Sequence, residues 1–446
     1  MTDQKLETTC CIVGGGPAGV MLGYLLARAG VGVTVLEKHQ DFNRDFRGDT
    51  VHPSTLEVMY ELGLLHDFLK VPHQELTSVS GVFGNFAFRA ADLSRLPTRC
   101  KFVALMPQWD FLNFLSDRGK QFPNFRLLMQ HDCVGLVHDE NRIYGVETHT
   151  PAGPVQIRAD LVVGCDGRHS ITRQAGGLEV IEYGVPIDVL WFRLSRQTDD
   201  PEQLLGNINY GRALILINRG DYFQAGLIIR KGSLDEIQAG GLERFRQMIR
   251  QIAPYLGDRV EELRDWEQIK LLTVQVNRLQ RWHRPGLLCI GDAAHAMSPA
   301  GGVGINLAIQ DAVATANLLA DPLREGRITE WWLAQVQQRR EFPTRVTQAI
   351  QVLAHKGFQK IFENPGPAEA PWQMKVAVSI PGVQHLVARV VGMGVRPEHI
   401  KGAKKPSRFC IKNVAVGAGV AMGMAALAVG LLRKQRRRKG WRGVFV

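Results

Sequence analysis

The chain lacks the features that would mark it as a secreted, zinc-binding or disulfide-stabilised protein. Its seven cysteines are odd in number, form no Cys-x-x-Cys pair and stand beside no histidine cluster. We therefore expect reduced thiols, no metal site and no disulfide framework. The first residues, MTDQKLETT, contain no basic region followed by an apolar run, so they predict no secretory signal peptide. These absences predict a cytoplasmic body.

Acidic residues are missing from Lys401 to the end of the chain, where twelve Lys and Arg residues occur. Because the net charge of all 446 residues is +11, the part that precedes Lys401 is close to neutral. A neutral body offers no phosphate-tracking surface, so we expect no nucleic-acid partner. The length, with 45% hydrophobic residues, is enough for two domains and a substantial core.

The N-terminal segment has the pattern of a strand, a glycine turn, a helix and a second strand. Residues 8–13 and 31–36 are apolar runs, and the helix between them is predicted to extend to about Ala29. Glu37 ends the second run about 20 residues after the turn, as in dinucleotide-binding units. Such an acid accepts hydrogen bonds from a ribose, which favours FAD or NAD over NADP; an ordinary βαβ turn is the alternative. The glycines of the turn complete G-x-G-x-x-G and are Gly14, Gly16 and Gly19.

Two later apolar runs also lead into acidic or glycine-rich loops. Residues 161–163 precede Asp166, and residues 287–290 precede Asp292 and a loop with glycines at 301, 302 and 304. Glycines this close together are typical of a chain that turns tightly or presses against a ligand. Because these segments are far apart in sequence, we expect one sheet built from discontinuous segments, with the intervening chain forming a second domain.

Three motifs occur in a fixed order: GGGPAG with Glu37, CDG at 165–167 and GDAAHAMSPAGGVGINLAIQDA at 291–312. With them, residues 8 to about 400 resemble the group A flavoprotein monooxygenases, the para-hydroxybenzoate hydroxylase-like and ubiquinone-pathway hydroxylase-like family. The resemblance implies an α/β fold with an FAD-binding Rossmann-like domain, an antiparallel-sheet substrate domain, a helical cap and a C-terminal hydrophobic helix. It also implies FAD, NADH or NADPH as co-substrate, and O2.

The expected domains follow from the motifs and from the apolar runs between them. An FAD-binding domain is predicted over 1–74, 101–178 and 273–330, a substrate domain over 75–100 and 179–272, a helical region over 331–400 and a basic tail over 401–446. Two local predictions concern helices. Ser54 and Glu57 have the spacing of a capping box, and Pro343 is predicted to break the helix of the C-terminal region.

The resemblance also assigns cofactor contacts residue by residue. The helix that begins near Asn306 would point its positive end at the flavin C2 carbonyl. No catalytic side chain is assigned, because the chemistry is flavin-centred. The residues expected to bind FAD are Gly14, Gly16, Gly19, Glu37, Lys38, Arg47, Gln108, Asp166 and Asp292, with Pro299, Gly301, Gly302, Gly304 and Asn306 against the flavin ring.

The implied reaction is hydroxylation of an aromatic or quinone-like, isoprenoid-type substrate through a flavin C4a-hydroperoxide. An FAD-dependent reductase or a non-oxygenating flavin-binding protein of the same fold is the alternative; a halogenase is disfavoured because the WxWxIP motif is absent. Several residues have both a functional and a structural interpretation, and for each we expect the structural one. They are His52, His169, His295 and Asp311, and the substrate-contact candidates Trp191, Arg193, Tyr210 and Phe223.

The basic tail contains an apolar run from Val414 to Leu432, nineteen residues without a polar side chain. At about 1.5 Å per residue, a helix of this length just crosses a hydrocarbon core. Basic residues flank the run on both sides, which suits anionic lipid. We therefore expect a membrane-attached body, although the run is rich in Ala and Gly, and a buried or homo-oligomerising helix is the alternative.

Overall fold

The computed structural model describes residues 4–43, 50–201, 204–364 and 366–402. The strands are β1 (Gln4–Val13), β2 (Val33–Glu37), β3 (Thr50–Val51), β4 (Gln74–Leu76), β5 (Ser78–Phe83), β6 (Phe86–Asp92), β7 (Val103–Leu105), β8 (Phe125–Met129), β9 (Asp132–His138), β10 (Ile143–Thr150), β11 (Gly153–Gly164), β12 (Val180–Glu182), β13 (Ile187–Ser195), β14 (Leu204–Asn209), β15 (Arg212–Asn218), β16 (Tyr222–Arg230), β17 (Lys270–Leu272), β18 (Asn277–Leu279), β19 (His283–Arg284) and β20 (Leu287–Cys289). The α-helices are α1 (Pro17–Arg28), α2 (Pro53–Glu61), α3 (Leu65–Phe68), α4 (Gln108–Gly119), α5 (Ile171–Ala175), α6 (Leu234–Ala239), α7 (Leu242–Ile252), α8 (Val303–Arg324), α9 (Glu330–Phe362), α10 (Trp372–Ser379) and α11 (Val383–Met393).

The largest sheet joins strands that are far apart in the sequence. Its order is β19-β20-β11-β1-β2-β8, and β10 and β9 extend it from β11 as an antiparallel ribbon. Strand β1 pairs in parallel with β2 and β11, and β11 pairs in parallel with β20. Parallel strands end at the same edge of a sheet, so the loops that follow these four strands lie together. The predicted sheet of discontinuous segments is thereby confirmed.

A second sheet of seven strands has the order β17-β13-β16-β15-β14-β5-β6. Its neighbours are antiparallel except for the parallel pair of β14 and β5. Successive side chains of a strand point to opposite faces, and both faces are covered here. One face packs Phe192 and Phe223 against Phe245 of α7. The other face carries Trp191, which packs in one cluster with Val352 of α9.

Helix α8 is the central helix of the molecule and packs against both α1 and α9. The helical stretch 300–324, which includes α8, is the single helix of the described residues that is long and apolar enough to cross a membrane. Because 72% of its apolar window is buried, it is a core helix. Helices α10 and α11 pass the same test only when taken together, and they are bent by 86°.

Two local predictions are wrong. Helix α2 begins at Pro53 with His52 as its N-cap and without a side-chain cap, so Ser54 and Glu57 form no capping box. Glu57 instead accepts a hydrogen bond from the backbone N–H of Arg99. Helix α9 runs through Pro343 without a break over 33 residues. The predicted domain boundaries stay predictions, and the apolar run 414–432 lies outside the described residues.

Candidate functional site

The turn between β1 and α1 has the geometry of a phosphate cradle. Gly14 has φ +106°, and a Cβ atom on it would lie 2.4 Å from the carbonyl oxygen of Cys165. A Cβ atom on Gly19 would lie 1.9 Å from the carbonyl oxygen of Gly14. A Cβ atom on Gly16 would meet nothing within 4 Å, so this glycine faces open space at the start of α1. The three positions match the needs of a tight turn, a close ligand and close helix–strand packing, so these residues fit a dinucleotide pyrophosphate.

Backbone hydrogen bonds hold the three strand-end loops together. The N–H of Gly14 donates to the carbonyl of Leu36 over 2.8 Å. The N–H of Cys165 donates to the carbonyl of Val13 over 2.7 Å, and the N–H of Ile290 donates to the carbonyl of Gly164 over 3.0 Å. The loops that contain the predicted cofactor residues are therefore one connected structure at the carboxyl edge of the sheet.

Glu37 lies at the end of β2 and faces the glycine turn. Its Oε2 accepts a hydrogen bond from the backbone N–H of Gly15 over 3.2 Å, and its Oε1 accepts one from the N–H of His39 over 3.1 Å. These bonds fix the carboxylate beside the cradle, where the ribose of a dinucleotide is expected. Lys38 follows it and is exposed.

The two aspartates of the site have different environments. Asp166 accepts hydrogen bonds from the hydroxyls of Ser170 and Thr172, over 2.6 and 2.9 Å, so part of its carboxylate organises the start of α5. Asp292 remains one-third exposed, and its Oδ2 lies 3.2 Å from Nε of Arg168. The exposed fraction of Asp292 leaves an acceptor available at this edge. Arg168 was not among the predicted site residues, although it follows the CDG motif directly.

The loop of residues 299–302, which we call the flavin loop, precedes α8. Gly302 has φ +61°, and a Cβ atom on it would lie 2.2 Å from Oγ1 of Thr50, so a glycine is required there. Gly301 is exposed, and Pro299 is half-buried. The loop is thus accessible on one side although it is surrounded by core residues, which fits the edge of a flat ring.

Helix α8 begins at Val303, three residues before the predicted start near Asn306. The first N–H groups of a helix have no acceptor within the helix and point outward, which favours a negatively charged oxygen at this position. Gly304 lies in this first turn. The side chain of Asn306 makes hydrogen bonds within the protein: its Oδ1 accepts from the backbone N–H of His52 and the hydroxyl of Thr55, over 2.9 and 2.7 Å. Its role is to join α2 to the flavin loop.

Helix α9 holds the flavin loop from behind. The amide of Gln351 donates to the carbonyls of Ser298 and Ala300, over 3.0 and 3.1 Å, and accepts from the N–H of Ser298. Nε2 of His355 lies 2.8 Å from the Ser298 hydroxyl, and burial lowers the pKa of this histidine to about 4. Sequence reasoning missed both residues. The signal was present as a stripe of polar residues at helical spacing, at 340, 344, 348, 351 and 355.

A buried charge network supports the loop that contains Asp292. Asp311 accepts from the N–H of Gly291 over 3.1 Å and from Nε of Arg340 over 2.8 Å. Nε2 of His295 lies 2.6 Å from Oδ2 of the same carboxylate. Burial alone raises the pKa of Asp311, but His295 and Arg340 outweigh it and hold the pKa below its ordinary value. The structural interpretation of His295 and Asp311 fits these contacts.

The remaining candidates are placed as follows. Gln108 is the first residue of α4, and Arg47 lies outside the described residues. Phe223 belongs to the core beneath the second sheet, and Tyr210 occupies a turn with φ +49°. Arg193 stacks on the ring of Tyr222, and His169 is exposed.

A cavity of about 100 Å³ lies against the flavin loop. Helix α8, helix α9 and the end of α11 enclose it, and most of its wall is apolar. Nε2 of Gln310, a buried side chain in this wall, has no hydrogen-bond partner among the described residues. The cavity therefore offers a mostly apolar surface. Its apolar lining includes Val303, Leu307, Ile350, Val391 and Val395.

Comparison with known proteins gives a consistent result. A family described as "FAD binding domain" matches residues 7–350. The chain is 31% identical over 359 residues to 6-methylpretetramide 4-monooxygenase from Streptomyces rimosus, covering 78% of this chain and 83% of that protein.

Two solved structures share the fold at lower identity. Anhydrotetracycline hydroxylase from Streptomyces rimosus superposes with a TM-score of 0.70 at 20% identity, covering 90% of this chain and 78% of the other. The Diels-Alderase of the pyrroindomycin biosynthetic pathway superposes with a TM-score of 0.69 at 21% identity, covering 90% and 82%. The fold therefore occurs in proteins named for different reactions.

Proposed function

The chain belongs to the FAD-binding family of aromatic monooxygenases, and on that premise we propose that it uses NADH or NADPH to hydroxylate a lipophilic aromatic or quinone-like compound. The observation that carries the proposal is the apolar cavity against the flavin loop. Apolar walls with few polar groups are typical of sites for aromatic ligands.

The protein residues would hold FAD and keep water from it. FAD supplies the redox chemistry when bound, since it accepts a hydride and then activates O2. Gly16 allows the pyrophosphate to approach the start of α1, and Glu37 accepts from the adenosine ribose. The first turn of α8 stabilises negative charge on the flavin pyrimidine ring. Asp292, which is one-third exposed, would accept from a ribityl hydroxyl.

The test is coupled consumption of nicotinamide and oxygen by the FAD-loaded full chain in detergent. NADH or NADPH oxidation, O2 uptake and H2O2 release are followed across a panel of phenols and polyprenylated phenols. A compound that accelerates NAD(P)H oxidation while H2O2 falls below stoichiometry is receiving oxygen, and its hydroxylated product is identified by mass spectrometry. A reduced flavin that does not react with O2 in the presence of any compound would overturn the proposal.

The alternative is a flavin-dependent protein that does not transfer oxygen. One observation favours it. A protein named as a Diels-Alderase superposes on this chain nearly as well as the named hydroxylase does, and fold alone does not determine chemistry. In that case the FAD-loaded chain would bind a compound of the panel, seen as a perturbed flavin spectrum, without substrate-stimulated NAD(P)H oxidation.

We also propose that the body is cytoplasmic and that the apolar run 414–432 attaches it to a membrane. The support is the length of the run and its basic flanks. The double substitution Val420→Glu with Leu427→Glu in the full chain is expected to release the protein from vesicles of phosphatidylcholine and phosphatidylglycerol in a sedimentation assay. Val444→Glu, which lies beyond the run, is the matched control. Equal sedimentation of both variants would contradict the attachment.

A further inference from the structure

An apolar stripe runs along the exposed face of α10. Trp372, Val376 and Ile380 recur every four residues, and they are 61%, 52% and 45% exposed. Trp372 and Val376 are four apart on α10 and therefore lie on one face, and Ile380 directly follows the last residue of the helix. Helix α10 has no buried residue of its own. Large apolar side chains left side by side in water mark a contact surface rather than a fold requirement.

The charge of this region is of one sign. From residue 372 to residue 397 the sequence contains Lys375, Arg389 and Arg396 but no Asp or Glu. Lys375 lies on α10, the same short helix as the stripe. Its Nζ lies 5.7 Å from the centre of the Phe86 ring. A helix that exposes a tryptophan, a valine and a lysine suits the headgroup region of an anionic bilayer, where tryptophan is also favoured.

The position of α10 relates this face to the candidate site. Helix α10 turns away from α11 at an angle of 86°, and the segment 390–397 at the end of α11 lines the cavity at the flavin loop. The helix pair α10–α11 therefore contains both the exposed apolar stripe and part of the cavity wall. If α10 contacts a bilayer, a hydrophobic compound in that bilayer would lie on the side of the molecule that carries this helix pair.

We infer that the face formed by Trp372, Lys375 and Val376 of α10, together with Ile380 directly after it, is a lipid-contact surface that rests on an anionic bilayer. The inference rests on the membrane attachment proposed above and adds a fixed orientation of the body to it. The apolar run 414–432 would supply affinity for the membrane, and the α10 face would turn the helix pair α10–α11 toward the bilayer. The surface is distinct from the apolar run and can be probed separately.

The experiment places an environment-sensitive fluorophore on α10 in the full chain. Val376→Cys is labelled in a Cys410→Ser background; the six described cysteines are free thiols, five of them buried. Trp331→Cys is the matched control, because Trp331 is 60% exposed but lies on α9. Vesicles of phosphatidylcholine with phosphatidylglycerol should shift the emission at 376 to the blue, and a nitroxide lipid should quench it severalfold more than the emission at 331. Trp372→Ser should weaken vesicle partition about tenfold.

The outcomes separate the two proposals. A protein that sediments with vesicles while the probe at 376 stays unchanged leaves the attachment through 414–432 intact and overturns the α10 surface. A protein that does not sediment, with a silent probe, contradicts both. A blue shift at 376 that follows protein concentration without vesicles shows that a second copy covers the stripe, and this also overturns the lipid surface.

Discussion

The side chains of His295 and Asp311 meet in the core, with Nε2 of the histidine 2.6 Å from Oδ2 of the aspartate and exposures of 1% and 0%. Arg340 completes the pair from α9. The same carboxylate accepts from the N–H of Gly291, the residue that precedes Asp292. A buried ion pair thus connects the central helix, the long helix and the loop of the candidate cofactor site.

The first prediction concerns this carboxylate. Asp311→Asn removes the nearer of the two buried carboxylates that Arg340 contacts, at 2.8 Å, and leaves Glu398 at 3.4 Å. Removal of one partner from a buried pair costs up to about 3–5 kcal/mol. The free energy of unfolding, measured in urea, should fall by this order at neutral pH. Asp321→Asn is the control on the same helix: its carboxylate is 49% exposed and pairs with Lys401, so stability should barely change. Equal losses in the two variants would contradict the role of the buried network.

The pH dependence of this difference follows from the lowered pKa of Asp311 in the folded chain. A carboxyl with a lowered folded-state pKa contributes stability above its unfolded value, about 3.9, and loses the contribution as the pH falls through the folded value. The stability gap between the wild type and Asp311→Asn should therefore persist at neutral pH and close below about pH 4. Urea unfolding of both proteins over this range measures it.

The second prediction separates cofactor binding from folding at the glycine turn. Gly16 has φ −75° and open space around its Cβ position, so Gly16→Val should fold but block the approach of a pyrophosphate. Gly19→Ala places a methyl group against the carbonyl of Gly14 and should destabilise the apoprotein itself. The measurements are FAD retained after gel filtration and the melting temperature of the apoprotein. A Gly16→Val protein that retains FAD would show that the cradle is not the phosphate site.

The third prediction is a loss of stability on mild acidification. Burial lowers the pKa of His52 and of His355 to about 4 in the folded chain, against about 6.5 when unfolded. Between these values the unfolded chain binds protons that the folded chain does not, so the free energy of unfolding falls as the pH falls. The double variant His52→Asn with His355→Gln, which retains one polar group at each site, should show a weaker slope. The exposed His169→Gln is the control and should leave the slope unchanged.

Local patterns predicted the parts of the fold that depend on neighbours in sequence. The β1–α1–β2 unit follows from glycine spacing and apolar periodicity, and the order of the motifs implied a sheet of discontinuous strands. Pro343 was misjudged because the lost backbone hydrogen bond is a local cost, whereas helix α9 is held by contacts such as Arg340 to Asp311. Long-range partners are invisible to a local rule.

The candidate site shows the same limit. The glycines and Glu37 were predicted because the phosphate cradle is a local motif. The prediction of Asn306 at the flavin stays a prediction, and its hydrogen bonds to His52 and Thr55, about 250 residues away in sequence, could not be predicted from a local motif. The polar stripe of α9 marks Gln351 as a residue with a polar role, but the loop that it supports depends on how α9 docks, which the spacing within α9 does not encode. A motif locates a site, and tertiary contacts determine which side chains remain available in it.

The last prediction tests whether the cavity at the flavin loop holds the substrate. Ile350→Trp adds bulk to the α9 wall of a cavity of about 100 Å³. The indole would occupy the space of an aromatic ring, so KM should rise at least tenfold for the compound identified in the coupled assay, while FAD content and the uncoupled NAD(P)H oxidation stay unchanged. Gln338→Trp adds the same side chain at an exposed position of α9 and should leave KM, FAD content and uncoupled NAD(P)H oxidation unchanged. If Ile350→Trp leaves KM unchanged, the substrate ring lies elsewhere, and the inner face of the second sheet around Trp191 becomes the site to test.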